Sequence, residues 1–280
     1  MTPWIQGEVR RLLDTTALRG TRWSVELRDA TSGATLASRD SRRLLRTASV
    51  AKVYALVEVA ARLEAGELDP LQPVDRRSIA AVADSGLWQH LACDVLPLVD
   101  VATLVGSVSD NLAANALIEL VGLDAVQARA AEHAQDGSTL HDLVRDVRDE
   151  TSPATLSEGS AADWASLFAG LGQGAIAGPR VSATVLRWLA AGTDLSMVGS
   201  AFGLDPLSHG CAADRGILLW NKTGTDAGVR ADVGLLALGG RRVAYAAICN
   251  WDPDAAPDPR DPVLAAMREI GASLWSREGW

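Results

Sequence analysis

Two stretches near the N-terminus alternate between apolar and polar residues, the pattern of strands that bury one face. They are "RWSVELRD" (22–29) and "ATLASRD" (34–40), and the turn "ATSG" between them contains glycine. The pair therefore predicts a β-hairpin. Before it, residues 3–14 carry apolar residues at helical spacing, which predicts a short amphipathic helix.

From Ser49 onward the apolar positions recur every three or four residues. Val53, Leu56 and Ala60 fall on one helical face, and Gly66 supplies a stop. The same period continues to about residue 200 and predicts a long helical region. Its clearest segments are 100–107, 112–121, 160–171 and 181–191.

The pattern returns to strands near Gly216. Three β-rich runs follow at 216–225, 230–238 and 242–251, joined by short turn segments, and they predict an antiparallel meander. A last helix is predicted over residues 261–278, where an Asp-Pro pair opens it.

Strands at both ends of a chain most simply unite in one sheet. We therefore predict a mixed fold, α/β plus all-α, with a five-stranded antiparallel sheet flanked by the terminal helices. Residues 1–45 and 215–280 would form this α/β lobe, and residues 46–214 an inserted all-helical lobe. The two lobes would make a single catalytic unit with its site in the cleft between them.

Composition and charge narrow the function. The chain is 48% hydrophobic and 22% charged, as in ordinary globular proteins, and its formal net charge is −9. Nucleic acids and anionic membranes reward basic surfaces, so neither is expected as a partner. No apolar run is long enough to span a bilayer. The sequence carries no signal for an oligomeric state.

Cysteines and histidines show no ligand spacing. Cys93, Cys211 and Cys249 are far apart, and mostly buried, reduced thiols are the expected state. The four histidines form no pair at metal-ligand spacing, so we predict no metal and no other cofactor. The N-terminus lacks the pattern of a signal peptide, which leads us to expect a cytoplasmic protein.

The two lysines carry the chemical signal, since the chain has 24 arginines and only Lys52 and Lys222 as lysines. Unlike arginine, a desolvated lysine can give up its proton and act as a base. Lys52 follows Ser49 by three residues at the start of a helix, which places the two side chains one turn apart. "SVAK" can therefore be a nucleophile with its own base, although chance gives this spacing about once in 14 lysines.

Two further motifs make chance a poor explanation. "VSDNLAANAL" contains Ser109-Asp110-Asn111, which could also be a simple helix N-cap. The second lysine lies in Lys222-Thr223-Gly224, a match expected for roughly one lysine in 200.

These three motifs, in this order, resemble those of the class A β-lactamases and penicillin-binding proteins. The 60 residues between Ser49 and Ser109 match the class A pattern, and the resemblance covers nearly the whole chain. It implies the fold predicted above and an acyl-enzyme on Ser49, with Lys52 as proton acceptor and Ser109 as proton donor to the leaving group.

The resemblance also implies binding roles. Asn111 would hold the substrate's amide carbonyl and steady Lys52, and Lys222 would add a positive field. Thr223 and Thr225 would bind a substrate carboxylate, and the backbone N–H groups of Ser49 and Thr225 would form the oxyanion hole.

For Arg230 and Trp88, a role at the site and a purely structural role are both open. Arg230 could pair with the same carboxylate, or be a solvated arginine at the end of a strand. Trp88 falls where the family has a loop at the mouth of the cleft, but plain core is the better expectation for it.

The resemblance fails at deacylation. Class A enzymes carry the glutamate that activates water in an E-x-x-L-N segment, and "HAQDGSTLHDLVRDVRDETSP" (133–153) has none. Glu132 and Glu150 lack the motif's context. His141, Asp142 and Asp146 are alternatives that are better explained as surface or capping groups.

The sequence therefore predicts a serine hydrolase of β-lactamase-like type that acts on an ester, thioester, amide or lactam carbonyl of a small molecule, with poor β-lactam turnover. One alternative is a true β-lactamase with an unorthodox deacylating group. Another is a penicillin-binding sensor that stays acylated, although such sensors normally carry a membrane segment. A catalytically dead scaffold fits poorly with three intact motifs.

Overall fold

The computed structural model describes residues 3–210 and 215–274, so Cys211 and the end of the predicted helix 261–278 lie outside the described residues. Its main sheet has the strand order β2-β1-β10-β9-β8, and all neighbours are antiparallel. This confirms the five-stranded antiparallel sheet, with its N-terminal hairpin and C-terminal meander. In chain order the strands are β1 (Arg22–Asp29), β2 (Thr35–Arg39), β3 (Leu45–Arg46), β4 (Pro73–Asp75), β5 (Val95–Pro97), β6 (Thr139–Leu140), β7 (Ser157–Gly159), β8 (Ile217–Asp226), β9 (Val229–Leu238) and β10 (Arg241–Asn250).

Eight α-helices lie within the described residues, and those predicted from periodicity are among them. In chain order they are α1 (Pro3–Leu13), α2 (Lys52–Glu64), α3 (Leu98–Val108), α4 (Asn111–Val121), α5 (Leu123–His133), α6 (Ala161–Gln173), α7 (Pro179–Leu189) and α8 (Arg260–Ser273). None of them is long and apolar enough to cross a membrane.

The sheet separates two hydrophobic cores. On one face α1, α8 and the short 3₁₀ helix Val198–Phe202 cover it, and on the other face the larger core contains α2, α3, α4, α6 and α7. Strand β10 contributes to both, because Tyr245 and Ala247 point into the first core and Ala246 and Ile248 into the second. A strand covered on both sides is apolar at almost every position, as "RVAYAAICNW" is.

The predicted lobe boundaries, residues 46 and 214, remain a prediction, and two observations refine them. Helix α6 lies inside the insert yet packs on β1, β9 and β10, while Leu195–Leu204 joins the core of the terminal helices. The insert also contains short strands, such as the β4–β5 pair, between its helices. These pairs are too short to show an alternating pattern in the sequence.

Helix α2 runs through the middle of the larger core. Every residue from Lys52 to Ala60 is buried, which explains why this stretch is apolar on all sides apart from Lys52 and Glu58. It begins close to β8, which is an edge strand of the main sheet and so borders the cleft between the sheet and the helical part.

The cysteines differ in exposure. Cys249 is buried as expected, whereas Cys93 is exposed, with its thiol 2.9 Å from the Val95 carbonyl. No group of three potential metal ligands occurs in the described part of the chain.

Candidate active site

A cleft of about 350 Å³ lies where α2 begins, between the ends of α3 and α7 and the edge strand β8. Its lining brings together residues from all three motifs, which are separated by up to about 170 residues in the chain. Among the lining residues are Ser49, Ser109, Lys222, Thr223 and Thr225.

Ser49 lies in a 3₁₀ turn, Ala48–Ala51, that leads directly into α2. It is half-buried, and the residue before it, Ala48, has a left-handed φ of 48°. The N-terminal end of a helix favours negative charge, so this position suits a serine that is transiently deprotonated to an alkoxide. Within the described residues the Ser49 hydroxyl has no hydrogen-bond partner, so it is free to meet a substrate.

Lys52 is completely buried and reaches across to the second motif. Its Nζ donates to the Ser109 carbonyl and to Asn111 Oδ1, both at 2.7 Å, and lies 3.5 Å from Ser109 Oγ. Lys52 Nζ makes no hydrogen bond to Ser49 in this structure, because these two acceptors of the second motif hold the amine. Hydrogen bonds of catalytic groups are often loose before substrate binds.

The protonation of Lys52 follows from its surroundings. Burial, together with the charge of Lys222, holds the pKa of Lys52 well below its usual range, against the attraction of Asp110 and Asp84. A neutral lysine amine has two hydrogens and one lone pair. When Lys52 is neutral, Ser109 O and Asn111 Oδ1 take its two hydrogens, and its lone pair is then left to accept a proton.

Ser109 connects the two lysines. Lys222 Nζ donates to Ser109 Oγ at 2.8 Å and to the Thr223 carbonyl at 2.8 Å. Burial lowers the pKa of Lys222 to about 8, although the charges of Asp194 and Asp232 act to raise it. The Ser109 hydroxyl therefore lies between two buried lysines, and burial lowers the pKa of both.

The glycine of the third motif permits a close backbone approach. A Cβ at Gly224 would lie 2.0 Å from the Thr47 carbonyl oxygen, so only glycine lets β8 pass beside the Ser49 turn. Thr225 follows on this unpaired edge and lines the cleft. The oxyanion hole from the N–H groups of Ser49 and Thr225 remains a prediction that this approach supports.

Asp110 holds the opposite wall in place. It caps α4 by accepting from the Ala113 N–H, as the capping interpretation predicts, and its other oxygen accepts from Leu87 and Trp88 N–H groups. A Cβ at Gly86 would lie 2.5 Å from this carboxylate. The loop tied down in this way presents Asp84 and Ser85 to the cleft.

Trp88 itself belongs to the core, as expected. Its ring is fully buried, and its Nε1 donates to the Cys93 carbonyl at 3.1 Å. The loop that carries Trp88 does border the cleft, but it does so through Asp84 and Ser85.

Strained backbone concentrates at the cleft. Six non-glycine residues in the described ranges have left-handed φ, and Ala48, Asp84 and Ser109 among them line the cleft or adjoin a lining residue. Ser109 caps α3 in this conformation, which turns its carbonyl to Lys52 while its hydroxyl meets Lys222. Such strain persists where surrounding contacts enforce it, and it clusters at functional sites.

The residues expected to bind a carboxylate are largely occupied. Thr223 donates its hydroxyl to Asp194 Oδ2 at 2.7 Å. Arg230 donates to the carbonyls of Asp226 and Val229, lies 5.8 Å from the Trp251 ring centroid, and is absent from the described lining of the cleft. Its binding role and that of Thr223 remain predictions, with no contact here that favours them.

The charged side chains of the loop from His141 to Ser157 are engaged by other groups of the protein, both within the loop and outside it. Asp142 accepts from Arg145 at 2.6 Å and from Arg148 at 2.9 Å, and Asp146 accepts from the Ala83 N–H at 2.9 Å. His141 lies 3.3 Å from Glu158. None of these groups belongs to the described lining of the cleft.

The remaining acidic candidates also lie outside the described lining of the cleft. Glu132 pairs with Arg129, and Glu150 is exposed. No residue that the sequence offered as a deacylating base therefore belongs to the described lining of the cleft.

The sequence profile of the beta-lactamase enzyme family matches residues 5–277. The chain belongs to this family. A search of curated protein sequences finds no significant match.

Solved structures with a similar fold include β-lactamases and PBP-A. A β-lactamase from Sphaerobacter thermophilus has a TM-score of 0.81 at 24% identity, with 98% of this chain and 96% of that chain covered. PBP-A gives 0.79 at 20% identity, with 97% and 94% covered. The class A β-lactamase from Mycobacterium abscessus gives 0.72 at 19%, with 97% and 100% covered.

Membership of the beta-lactamase enzyme family makes the protein a serine hydrolase in type, and the structure brings the residues of its three motifs to one cleft. Sequence reasoning missed Asp84 and Asp194, the two carboxylates of that cleft. No motif contains either one. Asp194 precedes Thr223 by 29 residues in the chain and reaches it only because α7 ends beside β8.

Proposed function

We propose that the protein is a serine hydrolase that acylates Ser49 with an ester, thioester, amide or lactam carbonyl of a small molecule, and that it turns over β-lactams poorly. The observation that carries the proposal is the set of hydrogen bonds that joins Lys52 to Ser109 and Ser109 to Lys222. This chain of groups would carry the proton of Ser49 away from the nucleophile.

The geometry suits the chemistry of the acylation step. Neutral Lys52 accepts the proton of Ser49 as its oxygen attacks the carbonyl carbon. The carbonyl electrons move to the oxygen, which the N–H groups of Ser49 and Thr225 stabilise. On collapse the leaving group departs and takes a proton from Ser109, which regains one from the lysines.

Deacylation separates the candidate functions. No carboxylate of the loop 141–157 lies in the described lining of the cleft, which supports slow hydrolysis of a β-lactam adduct and favours acyl trapping as the second candidate. A β-lactamase with an unorthodox base is the third. The expectation that the protein acts in the cytoplasm rests on the sequence and remains a prediction.

The test is a time course of intact-protein mass with a penicillin, a cephalosporin and a neutral fluorophosphonate, which phosphonylates activated serines and releases fluoride. We expect all adducts to vanish in Ser49→Ala. A persistent penicillin adduct supports trapping, and its decay with product release supports a true β-lactamase. Labelling by fluorophosphonate alone points to non-lactam carbonyls, and a fluorophosphonate adduct on Ser49→Ala overturns the mechanism.

A further inference from the structure

The wall expected to receive a substrate carboxylate already holds a carboxylate of the protein. Asp194 lines the cleft together with Ser49, Lys222 and Thr223. Its Oδ2 accepts the Thr223 hydroxyl at 2.7 Å, so the donor expected for a substrate is engaged. Its Oδ1 accepts from Ser196 twice, from the hydroxyl at 2.6 Å and from the backbone N–H at 3.1 Å.

These bonds leave one acceptor position open. A carboxylate has about four lone-pair positions, two on each oxygen. Oδ1 is filled by its two Ser196 donors, whereas Oδ2 has one donor and therefore one free position. Asp194 is exposed to the cleft, so that position is available to an N–H group of a bound molecule.

The carboxylate is ionised at neutral pH. Burial alone would raise the pKa of Asp194, but the hydrogen bonds from Ser196 and Thr223 and the charge of Lys222 outweigh it and hold this pKa below its usual value. A second carboxylate, Asp84, stands in the same lining and is exposed.

Positive charge does not balance the two carboxylates. Lys222 is the one cationic residue in the described lining of the cleft, and its Nζ is bonded to Ser109 Oγ and to the Thr223 carbonyl. Arg230, the other candidate for a substrate carboxylate, lies against Trp251. An incoming anion therefore meets two carboxylates and no free guanidinium in this lining.

We infer that Asp194 is a specificity-determining residue that selects substrates bearing an ammonium or comparable cationic N–H group near the reacting carbonyl and disfavours carboxylates. This inference rests on the proposed function, because it assigns the substrate class of the same cleft. It replaces the carboxylate-bearing substrate expected from the three motifs.

The experiment measures how charged boronic acids protect Ser49. Phenylboronic acid adds the oxygen of an activated serine to boron reversibly, and its 3-aminomethyl and 3-carboxy derivatives differ in charge. Each is titrated against labelling by a neutral fluorophosphonate, read by intact mass at pH 7. Asp194→Asn is compared with the original chain, and Asp226→Asn serves as a matched loss of one charge at the end of β8, outside the described lining.

For the original chain we expect the aminomethyl compound to protect at a concentration about 10- to 100-fold lower than the carboxy compound. In Asp194→Asn the preference should shrink to about threefold or less, while Asp226→Asn should keep it. Comparing each compound between variants cancels its intrinsic affinity for a serine. The neutral label also reports whether the Asp194→Asn cleft has folded.

The remaining outcomes are distinct. If the carboxy compound protects as well as the aminomethyl compound in the original chain, the inference is wrong even though labelling shows Ser49 to be reactive. It is also wrong if Asp194→Asn labels normally and retains the full preference. Failure of the label to react with Ser49 in the original chain would instead remove the proposed function, and with it the basis of the inference.

Discussion

The cleft wall formed by Lys52, Ser109 and Lys222 and the loop 141–157 both contain cationic side chains, but the two regions use them differently. In the wall, the buried lysines Lys52 and Lys222 converge on Ser109, and the solvent that would satisfy them is excluded. In the loop, the cations are arginines, and Arg145 and Arg148 bind Asp142 to close the loop on itself. The wall thus holds groups that can exchange protons, whereas the loop holds permanent charges that stabilise its own conformation.

The comparison indicates where chemistry is available. Burial shifts the pKa of a lysine toward the neutral range, so that the same side chain can take up or release a proton during a reaction. In an Asp–Arg pair the pKa shifts lead away from the neutral range instead. The pKa of Asp142 lies below its usual value because the two guanidinium groups outweigh its burial. On the proposed function, the cleft therefore supplies groups for acylation, and the loop contributes no carboxylate to the described lining for deacylation.

The largest effect is expected from Lys52→Arg. Guanidinium stays protonated near neutral pH and cannot accept the Ser49 proton, so the rate of acylation by a fluorophosphonate or a penicillin should fall about 10²- to 10⁴-fold. The rate is measured by intact mass. Lys52→Gln, which fits the buried site more easily, should show a loss of similar size.

Arg62→Lys is the matched control for Lys52→Arg. Arg62 lies on the same helix but pairs with Glu58, away from the cleft, so its replacement should leave the rate nearly unchanged. A Lys52→Arg protein that acylates at the original rate would show that the wall does not depend on a neutral amine.

The second effect tests the geometry of the wall. Gly224→Ala places a Cβ against the Thr47 carbonyl, which must move β8 away from the Ser49 turn. We expect a stability loss of about 1–3 kcal/mol by denaturant unfolding, accompanied by slower acylation.

Gly7→Ala is the corresponding control, because a Cβ there meets no atom within 4 Å and lies in helix α1. It should stabilise the protein by about 0.5–1 kcal/mol and leave acylation alone. Equal behaviour of the two variants would contradict the close approach of β8.

The third effect is a pH dependence that the loop cannot produce. Burial lowers the pKa of Lys222 to about 8, so its charge is present below that pH and is lost as pH rises through it. If this charge supports Ser109, the acylation rate should fall by up to about tenfold above pH 8.

The carboxylate of Asp194 is one of the charges that raise this pKa. In Asp194→Asn the falling limb should therefore move to lower pH, and Lys222→Arg should abolish the limb between pH 7 and 10. A limb that stays in place in both variants belongs to another group. The pH-rate profile of fluorophosphonate labelling distinguishes these outcomes.

How much of this was predictable differs between the two regions as well. The strands, the main helices and the three motifs follow from local periodicity and from the rarity of lysine, because each signal lies within a short stretch of chain. Short strands such as β4 and β5 carry too few residues to alternate visibly. The α6 segment was predicted as a helix, but its place on the sheet depends on packing that no local pattern encodes.

The chemistry of the cleft shows the same limit. The lysines and serines were found because their motifs are contiguous, whereas Asp194 and Asp84 are brought to the cleft by tertiary structure alone. Without them the motifs indicated a carboxylate-binding wall. With them the wall contains carboxylates of its own, and the Thr223 hydroxyl donates to Asp194.

The smallest effect is the one that tests the loop itself. Asp142→Asn and Asp146→Asn should leave the lifetime of a penicillin adduct on Ser49 within about twofold of the original, because neither carboxylate is in the described lining of the cleft. Asp142→Asn should still lower stability by about 1–2 kcal/mol, since it weakens the bonds from Arg145 and Arg148. The lifetime is read by intact mass after removal of excess penicillin. An adduct that persists markedly longer in either variant would mean that the loop carboxylate reaches the acyl group during turnover, and the contrast between wall and loop would then fail at deacylation while it held for acylation.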